Sequence, residues 1–419
     1  MTEAPNPIRI REFRNLLPIG FVVALGFGLV IPVLPLFAES FNVGIALLGL
    51  VQFVFGLTRF SFGLASGLAV DRFGERASTV TGILIVAASS YAAGFSQNFI
   101  QLVLARGFGG VGSALFIAGL MNRVLKVVPP AAMGRATGIW RTSFLVGIGI
   151  GPALGGVLGE SLGIRAPFHV YATGLLVAAV VAWVAMTGRG GRDADAQKRS
   201  PVEALRAAAP LFRDTRYVVA LLVTLAGWWT LSGPAQFMGA LFAKNQLGFT
   251  PAQIGYAVTL LAVGEIFVVL LVAGPAADRF GRKAVLVPSM AIGVVATALI
   301  GQVGPSTWWA YYVLMLTMGA GVAASSTAAG GLLADAIPKG GSGTAVSVNQ
   351  MAGDLGYMVA PSAMGAVSAG AGFGVGYTVG AIPAAVALLA ALKLPGRDVP
   401  DAGPPYHAAE AEQPVEPVG

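Results

Sequence analysis

The chain contains no cysteine, which excludes a disulfide framework, a thiolate metal site and a cysteine nucleophile. Charge is nearly as scarce. Only 11% of residues are charged, where soluble proteins carry about 25%. With 56% hydrophobic residues and a mean hydropathy of +0.77, a water-soluble globule is excluded. There is no Walker loop, so nucleotide hydrolysis is not the energy source within this chain. No metal cluster or cofactor is implied, and the chain is not expected to be an enzyme. The net charge of +7 does not mark a nucleic-acid partner, because the cations lie between apolar stretches, where they set membrane orientation. Arg9, Arg11 and Arg14 precede an apolar run of full membrane length without a small-residue cleavage site, so the first helix is expected to be retained.

What fills the chain is long apolar segments. A spanning helix needs ~20 mostly apolar residues, and by that rule spans fall at roughly 16–38, 45–70, 78–96, 99–125, 136–158, 167–187, 217–243, 252–277, 284–303, 307–334, 344–369 and 372–394. The fold class is therefore an all-α membrane protein with twelve transmembrane helices in two pseudo-symmetric six-helix bundles. A cytoplasmic segment (1–15) precedes the first bundle (16–187). A polar cytoplasmic linker (188–216) leads to the second bundle (217–394), and the Pro-rich acidic tail (395–419) is expected to be disordered. Of the 26 Lys and Arg, 21 fall on the side of both termini, two (Arg165, Lys244) on the other, and three (Arg59, Arg106, Arg141) inside spans. Both termini are thus expected to be cytoplasmic.

The bundles repeat one another. Gly67-Leu-Ala-Val-Asp71-Arg72-Phe-Gly74-Glu-Arg76 returns 207 residues later as Gly274-Pro-Ala-Ala-Asp278-Arg279-Phe-Gly281-Arg282-Lys283. At an offset of 209, Pro129 meets Pro338, Gly134 meets Gly343, Pro152 meets Pro361 and Gly156 meets Gly365. Gly and Pro set backbone shape, so the halves share a scaffold. The chemistry differs: Arg141 aligns with Gln350, and no cation stands opposite Arg106. Duplicated bundles with matching loops are the architecture of transporters that rock about a central site.

On these motifs the chain resembles the major facilitator superfamily, and within it the twelve-helix drug–proton antiporters, over about residues 15–395. Four motifs carry the resemblance. The first is the doubled loop, with Gly67, Asp71, Arg72, Gly74 and Arg76 in the family's positions and Asp278, Arg279, Gly281 and Arg282 in the second copy. Gly67 permits close helix approach, Gly74 a tight turn, and Asp71 can cap a helix or pair with a cation across the lobes. Glu75 departs from the family's preference for a base. The resemblance implies that this loop latches the halves in one conformation. The second motif surrounds Arg106 (Leu102, Gly109, Gly110, Gly112), which the resemblance makes an assistant in proton transfer; snorkelling to the interface is the alternative. The third is Gly147-Ile-Gly-Ile-Gly151-Pro152-Ala-Leu-Gly155-Gly156, a pattern that marks antiporters in this family and implies export. Its spacing puts Gly147 and Gly151 on one face for close approach, and Pro152 is expected to kink the helix. Leu25-Gly26 with Pro32-Val33-Leu34-Pro35 is a weaker fourth.

Proton coupling needs a group that gains and loses a proton within the membrane. Glu265, about mid-way along helix 8, and Asp354, about 11 residues into helix 11, are the carboxylates placed to do so, with Arg106 assisting. Arg59 and Arg141 either pair with these acids across the lobes or serve as counter-ions to a ligand; three arginines against two acids leave the spans at +1. Trp228 and Trp229, beside Gly233-Pro234, and Gln52, Phe53 and Phe60 on helix 2 are candidates for an apolar, aromatic binding surface. Trp308, Trp309, Tyr311 and Tyr312 read as an interfacial belt. The expected function is export of small, hydrophobic organic compounds in exchange for protons, by a monomer in a bacterial inner membrane, with substrate, protons and lipid as its partners. One alternative is a carrier for an anionic metabolite with Arg59 or Arg141 as counter-ion; another is a non-transport sensor or scaffold.

Overall fold

Helices account for the spans because their apolar runs leave no other way to satisfy backbone polar groups in lipid. The computed structural model describes residues 6–129, 132–186, 209–337 and 342–395, and no strand occurs among them. The spans are α1 Arg11–Val30, α2 Leu50–Phe73, α3 Glu75–Phe95, α4 Phe99–Val127, α5 Met133–Ser161 and α6 Ala166–Ala185. The second bundle contributes α7 Thr215–Leu247, α8 Pro251–Ala277, α9 Arg282–Ile300 and α10 Trp308–Ala336. The final apolar stretch, Ala345–Leu392, is 48 residues long, about 72 Å at 1.5 Å per residue, more than twice the ~30 Å hydrocarbon core. Gly372, with φ 83° and ψ 167°, divides it into α11 (342–371) and α12 (373–392). Twelve crossings bring the two described ends to one face. Most of the expected linker and nearly all of the tail (187–208 and 396–419) lie outside the described residues.

The first crossing differs from its expected span. It starts earlier, at Arg11, and Glu12 in its first turn pairs with Arg123 of α4. It also stops at Val30, turns through residues 31–33, and resumes as a short helix, Leu34–Glu39. Pro32 and Pro35 explain the interruption, since neither can donate to the helical ladder and each restricts the residue before it. In α7, Gly233-Pro234 has a milder effect. The helix continues across it as a π-helical turn, Leu231–Phe237, the form helices adopt when one bond is lost locally.

The duplication is visible in backbone angles. Gly74 (φ 86°, ψ 161°) ends α2, and Gly281 (φ 87°, ψ 156°) ends Gly274–Phe280, the helical continuation of α8, in the same conformation, one reserved for glycine. A second correspondence is charge-reversed. Buried Glu75 of α3 pairs with Lys126 of α4 at 2.6 Å, and Arg282 of α9 pairs with Asp335 of α10 at 2.8 Å. Glu75 and Arg282 are 207 residues apart and Lys126 and Asp335 are 209 apart, so equivalent positions hold one ion pair with its signs exchanged. This accounts for Glu75, the departure from the family pattern. Glu75→Gln is expected to lower the stability of the first bundle by about 1–2 kcal/mol. The double exchange Glu75→Lys with Lys126→Glu, which copies the order of the second bundle, should restore most of it. Thermal unfolding in detergent checks both.

The bundles meet in the half of the membrane away from the chain ends. There α5 crosses α8: a Cβ on Gly156 would stand 2.3 Å from the Pro251 carbonyl oxygen, and one on Gly255 2.2 Å from that of Pro152. Likewise the short helix Ile45–Leu48 and Gly49, which lead into α2, meet α11, with Gly49 against Ser362 and Gly365 against Ile45. Polar contacts follow the same line. Glu39 accepts from Lys244 at 2.7 Å and Asn245 at 2.8 Å, and Glu160 accepts the Ala252 N–H at the start of α8. Toward the end-bearing face the bundles part. Added Cβ atoms at Gly63, Gly67, Gly138 and Gly274 meet nothing within 4 Å, and Phe60, Phe62, Arg135, Gln350 and Met351 are exposed. The cleft therefore opens on the side of the termini.

Candidate functional site

Two arginines of the first bundle, Arg59 and Arg141, meet two carboxylates of the second, Asp354 and Glu265, between the bundles. Arg59 stands on α2 and Asp354 on α11; Gly49 and Gly56 bring these two helices close, while Gly353 and Gly356 seat α11 against α7. The Arg59 guanidinium donates to Asp354 Oδ1, and Gln350 Nε2 donates to the same oxygen at 3.3 Å. About one turn along α11 and two along α2, Gln52 donates to the hydroxyl of Tyr357. Tyr357 is buried, lies 5.8 Å beneath Arg59, and takes the edge of Trp228 at 6.0 Å. Five residues on two helices, Gln52 and Arg59 of α2 with Gln350, Asp354 and Tyr357 of α11, thus form one cross-bundle network at mid-depth.

The second acid meets the second arginine more loosely. Glu265 on α8 is half-buried and lies within the field of Arg141 on α5. Among the described residues its carboxylate takes part in no hydrogen bond or ion pair. The helices that carry the two residues are held by the Gly156–Pro251 contact, by Gly149 against Ala262 and Ile266, and by the Ala153 N–H donating to Thr259 Oγ1 at 3.0 Å.

Arg106 is different. It is 2% exposed, yet no carboxylate pairs with it among the described residues, and its Nε has no hydrogen-bond partner. Its guanidinium lies 4.7 Å from the Phe55 ring centre. The structure keeps it apart from both acids and away from the interface, so the snorkelling alternative does not apply. It borders a narrow cavity between the bundles, together with Phe27, Ile31, Gln52, Gln236 and Phe237.

The other candidates separate. Trp228 (39% exposed) sets its edge on Tyr357 at the meeting of the bundles; Phe60 is 37% exposed and Phe53 half-buried on α2. Trp229 turns away, and its Nε1 donates to the Gly380 carbonyl at 3.0 Å. Gly147, Gly151 and Gly155 do allow close approach, but their partner is α1 of the same bundle: a Cβ on Gly155 would meet the Leu29 oxygen at 2.0 Å. Gly156 and Gly149 instead face the other bundle. Helix α5 runs unbroken through Pro152. In the first loop motif Asp71 and Arg72 are exposed, and Asp71 neither caps a helix nor pairs with a cation among the described residues. The Gly67 face is open, so the close approach expected there is not made in this conformation. Arg76 lies 3.9 Å from the Trp183 ring, and Arg279 lies 5.3 Å from that of Phe280. The side chain of Asp278 lies outside what the structure describes. Tyr311 is not a belt residue; it is buried and donates to the Gly239 carbonyl at 2.9 Å.

Sequence reasoning missed Tyr357 and Gln236. Tyr357 was within reach, since it lies three residues after Asp354 and so on the same helical face. Gln236 follows Pro234 inside the π-helical turn, where helical periodicity gives no facing.

The family model for the Major Facilitator Superfamily matches residues 16–242 and again 218–419. Multidrug resistance protein 2 of Bacillus subtilis (strain 168) is 25% identical over 287 residues, covering 67% of this chain and 71% of that protein. The multi-drug resistance efflux pump PmrA of Streptococcus pneumoniae is 24% identical over 382 residues, 87% of this chain and 90% of the pump. A bacterial homologue of the human lysosomal transporter Spinster, solved in an inward-facing and unoccupied conformation, shares the fold with a TM-score of 0.73 at 17% identity, covering 93% of this chain and 98% of that one. Matched in both its halves and built of twelve apolar helices around a cleft, the chain belongs to the Major Facilitator Superfamily and is a multi-pass membrane transporter of small molecules, not an enzyme.

Proposed function

We propose that the protein exports small, hydrophobic organic compounds in exchange for protons, as a monomer in a bacterial inner membrane with its end-bearing face in the cytoplasm. Two lobes, 16–187 and 217–394, rock about the cleft, joined by the linker 188–216. The observation that carries this reading is the placement of Asp354 and Glu265, each at mid-membrane on one lobe, opposite an arginine of the other. A proton on Asp354 abolishes its charge attraction for Arg59 and loosens the mid-depth contact; loss of that proton restores it. Proton binding is thereby tied to lobe separation, as exchange requires. The excess of Lys and Arg on the end-bearing side supports the orientation. Trp228, Phe53 and Phe60 supply apolar area for flat solutes, and the names of the bacterial relatives favour efflux. An anionic ligand held by Arg59 or Arg141 is the weaker reading, since both arginines already face an acid of their own.

The test is dye-driven proton movement in proteoliposomes with an acidic lumen. A hydrophobic dye added outside should accumulate as lumenal pH rises, in wild type but in neither Asp354→Asn nor Glu265→Gln if both acids couple. Dye accumulation without any pH change in wild type would overturn antiport.

A further inference from the structure

The region between the lobes contains one charge that the proposed exchange does not use. Arg59 takes Asp354 and Arg141 faces Glu265, which leaves Arg106 as the third cation, deeply buried and without a carboxylate. A guanidinium isolated in a membrane interior is costly and persists where something compensates it. The orphan atoms around it say what the compensating group must offer. Arg106 Nε is a donor without an acceptor, while Gln52 Oε1 and Gln236 Oε1 are buried acceptors without donors. All three side chains border the same inter-lobe cavity, whose remaining wall is apolar and includes Phe27 and Phe237. The free space is about 10 Å³, enough for one water or one carboxylate oxygen; a whole solute enters only as the lobes part.

We propose that Arg106, Gln52 and Gln236 form a head-group subsite for organic acids. The ligand class is an amphipathic carboxylate with a neighbouring O–H or N–H and an aromatic or aliphatic body. The carboxylate accepts from Arg106, the adjacent donor serves a glutamine oxygen, and the body lies along Phe27 and Phe237. A halide or other bare inorganic anion satisfies the arginine but leaves both glutamine oxygens unpaired. The subsite draws on both lobes, through Arg106 and Gln52 from the first and Gln236 from the second, so its occupancy depends on how far they are apart. This narrows the substrate class of the export reading and rests on it only for the direction of transport.

Equilibrium binding to the purified full-length protein tests the proposal, with four probes of one shape: 3-phenyllactate, 3-phenylpropionate, 3-phenylpropionamide and phenethylamine. Wild type should bind phenyllactate best and at least tenfold more tightly than the amide, the scale of a charge-assisted hydrogen bond. Arg106→Gln should remove that preference and Arg106→Lys should retain part of it. Gln52→Leu should weaken phenyllactate more than phenylpropionate. If Arg106→Gln does not yield folded protein, the acid-to-amide ratio in wild type and in Arg106→Lys decides. Equal affinity for acid and amide, or an acid preference that survives Arg106→Gln, overturns the subsite. So does sodium chloride that displaces phenyllactate competitively and stabilises the protein equally by itself. The readout is binding, so the two readings fail separately. Acid binding without proton exchange would remove the antiport reading alone, and dye-driven exchange without acid binding would remove the subsite alone.

Discussion

Gly156→Val is expected to abolish transport while leaving a folded protein, and Gly155→Val, one residue away, is expected to leave no folded protein. The contrast follows from what each glycine touches. A Cβ on Gly155 stands 2.0 Å from the carbonyl oxygen of Leu29, so the clash lies between α1 and α5 inside one bundle. Backbone of a packed helix cannot yield there without losing the bundle. A Cβ on Gly156 stands 2.3 Å from the Pro251 oxygen, and this partner belongs to the other bundle. The lobes can relieve that clash by parting on the face away from the chain ends. Overpacking of about 1–3 kcal/mol shifts a two-state equilibrium roughly 5- to 150-fold, and a valine against a backbone oxygen belongs at the upper end. Gly255→Val, with its Cβ 2.2 Å from the Pro152 oxygen, should behave like Gly156→Val.

The absence of cysteine makes this measurable without a cleared background. Ile31→Cys borders the inter-lobe cavity and is buried in the closed arrangement. A membrane-impermeant maleimide applied from the far face should label it at least about tenfold faster in the Gly156→Val background than alone. Unchanged labelling with a folded, inactive protein would mean that the α5–α8 contact does not set the conformation.

Much of the fold was legible because hydropathy and the repeat are properties of the chain itself. The repeat led to Gly74 and Gly281, which have the same angles, and the count of spans held even where α11 and α12 form one nearly continuous helical stretch. Facing was harder to read. A helix turns about 100° per residue, so Trp229 points to α12 while Trp228 sets its edge on Tyr357 of α11, and Tyr311 is buried while Trp309, two residues away, is exposed. A run of aromatics looks uniform in sequence and is divided by the helix. The same geometry separated Gly155 from Gly156. Which arginine meets which acid depends on the relative height of helices from different bundles, and periodicity within one helix does not contain that. The sequence left Arg59 and Arg141 open between acids and ligand; in the structure both face acids. That outcome makes Arg106 the exception, although sequence had grouped it with the proton-carrying residues.

Breaking the Arg59–Asp354 pair from either side should cost more than removing both partners. Asp354→Asn leaves a guanidinium at mid-membrane beside Tyr357 and a neutral amide, and Arg59→Gln leaves a carboxylate with only Gln350 as donor. The two side chains are 22% and 16% exposed, so water softens the loss below the full penalty of a sealed ion pair. About 1–3 kcal/mol for each single substitution is the expected scale. The double variant Arg59→Gln with Asp354→Asn removes both charges and should recover most of that stability, giving a coupling energy of at least about 1 kcal/mol in a double-mutant cycle. Transport should not follow stability. The double variant keeps the lobes together through the α5–α8 contacts and the Glu39–Lys244 pair, yet has no proton to exchange at Asp354. Its substrate-driven proton flux should fall at least about tenfold below wild type while its unfolding temperature returns close to it. If flux recovers together with stability, Arg59 and Asp354 are a structural strut, and coupling rests on Glu265, the acid whose carboxylate the structure leaves without a hydrogen bond among the described residues.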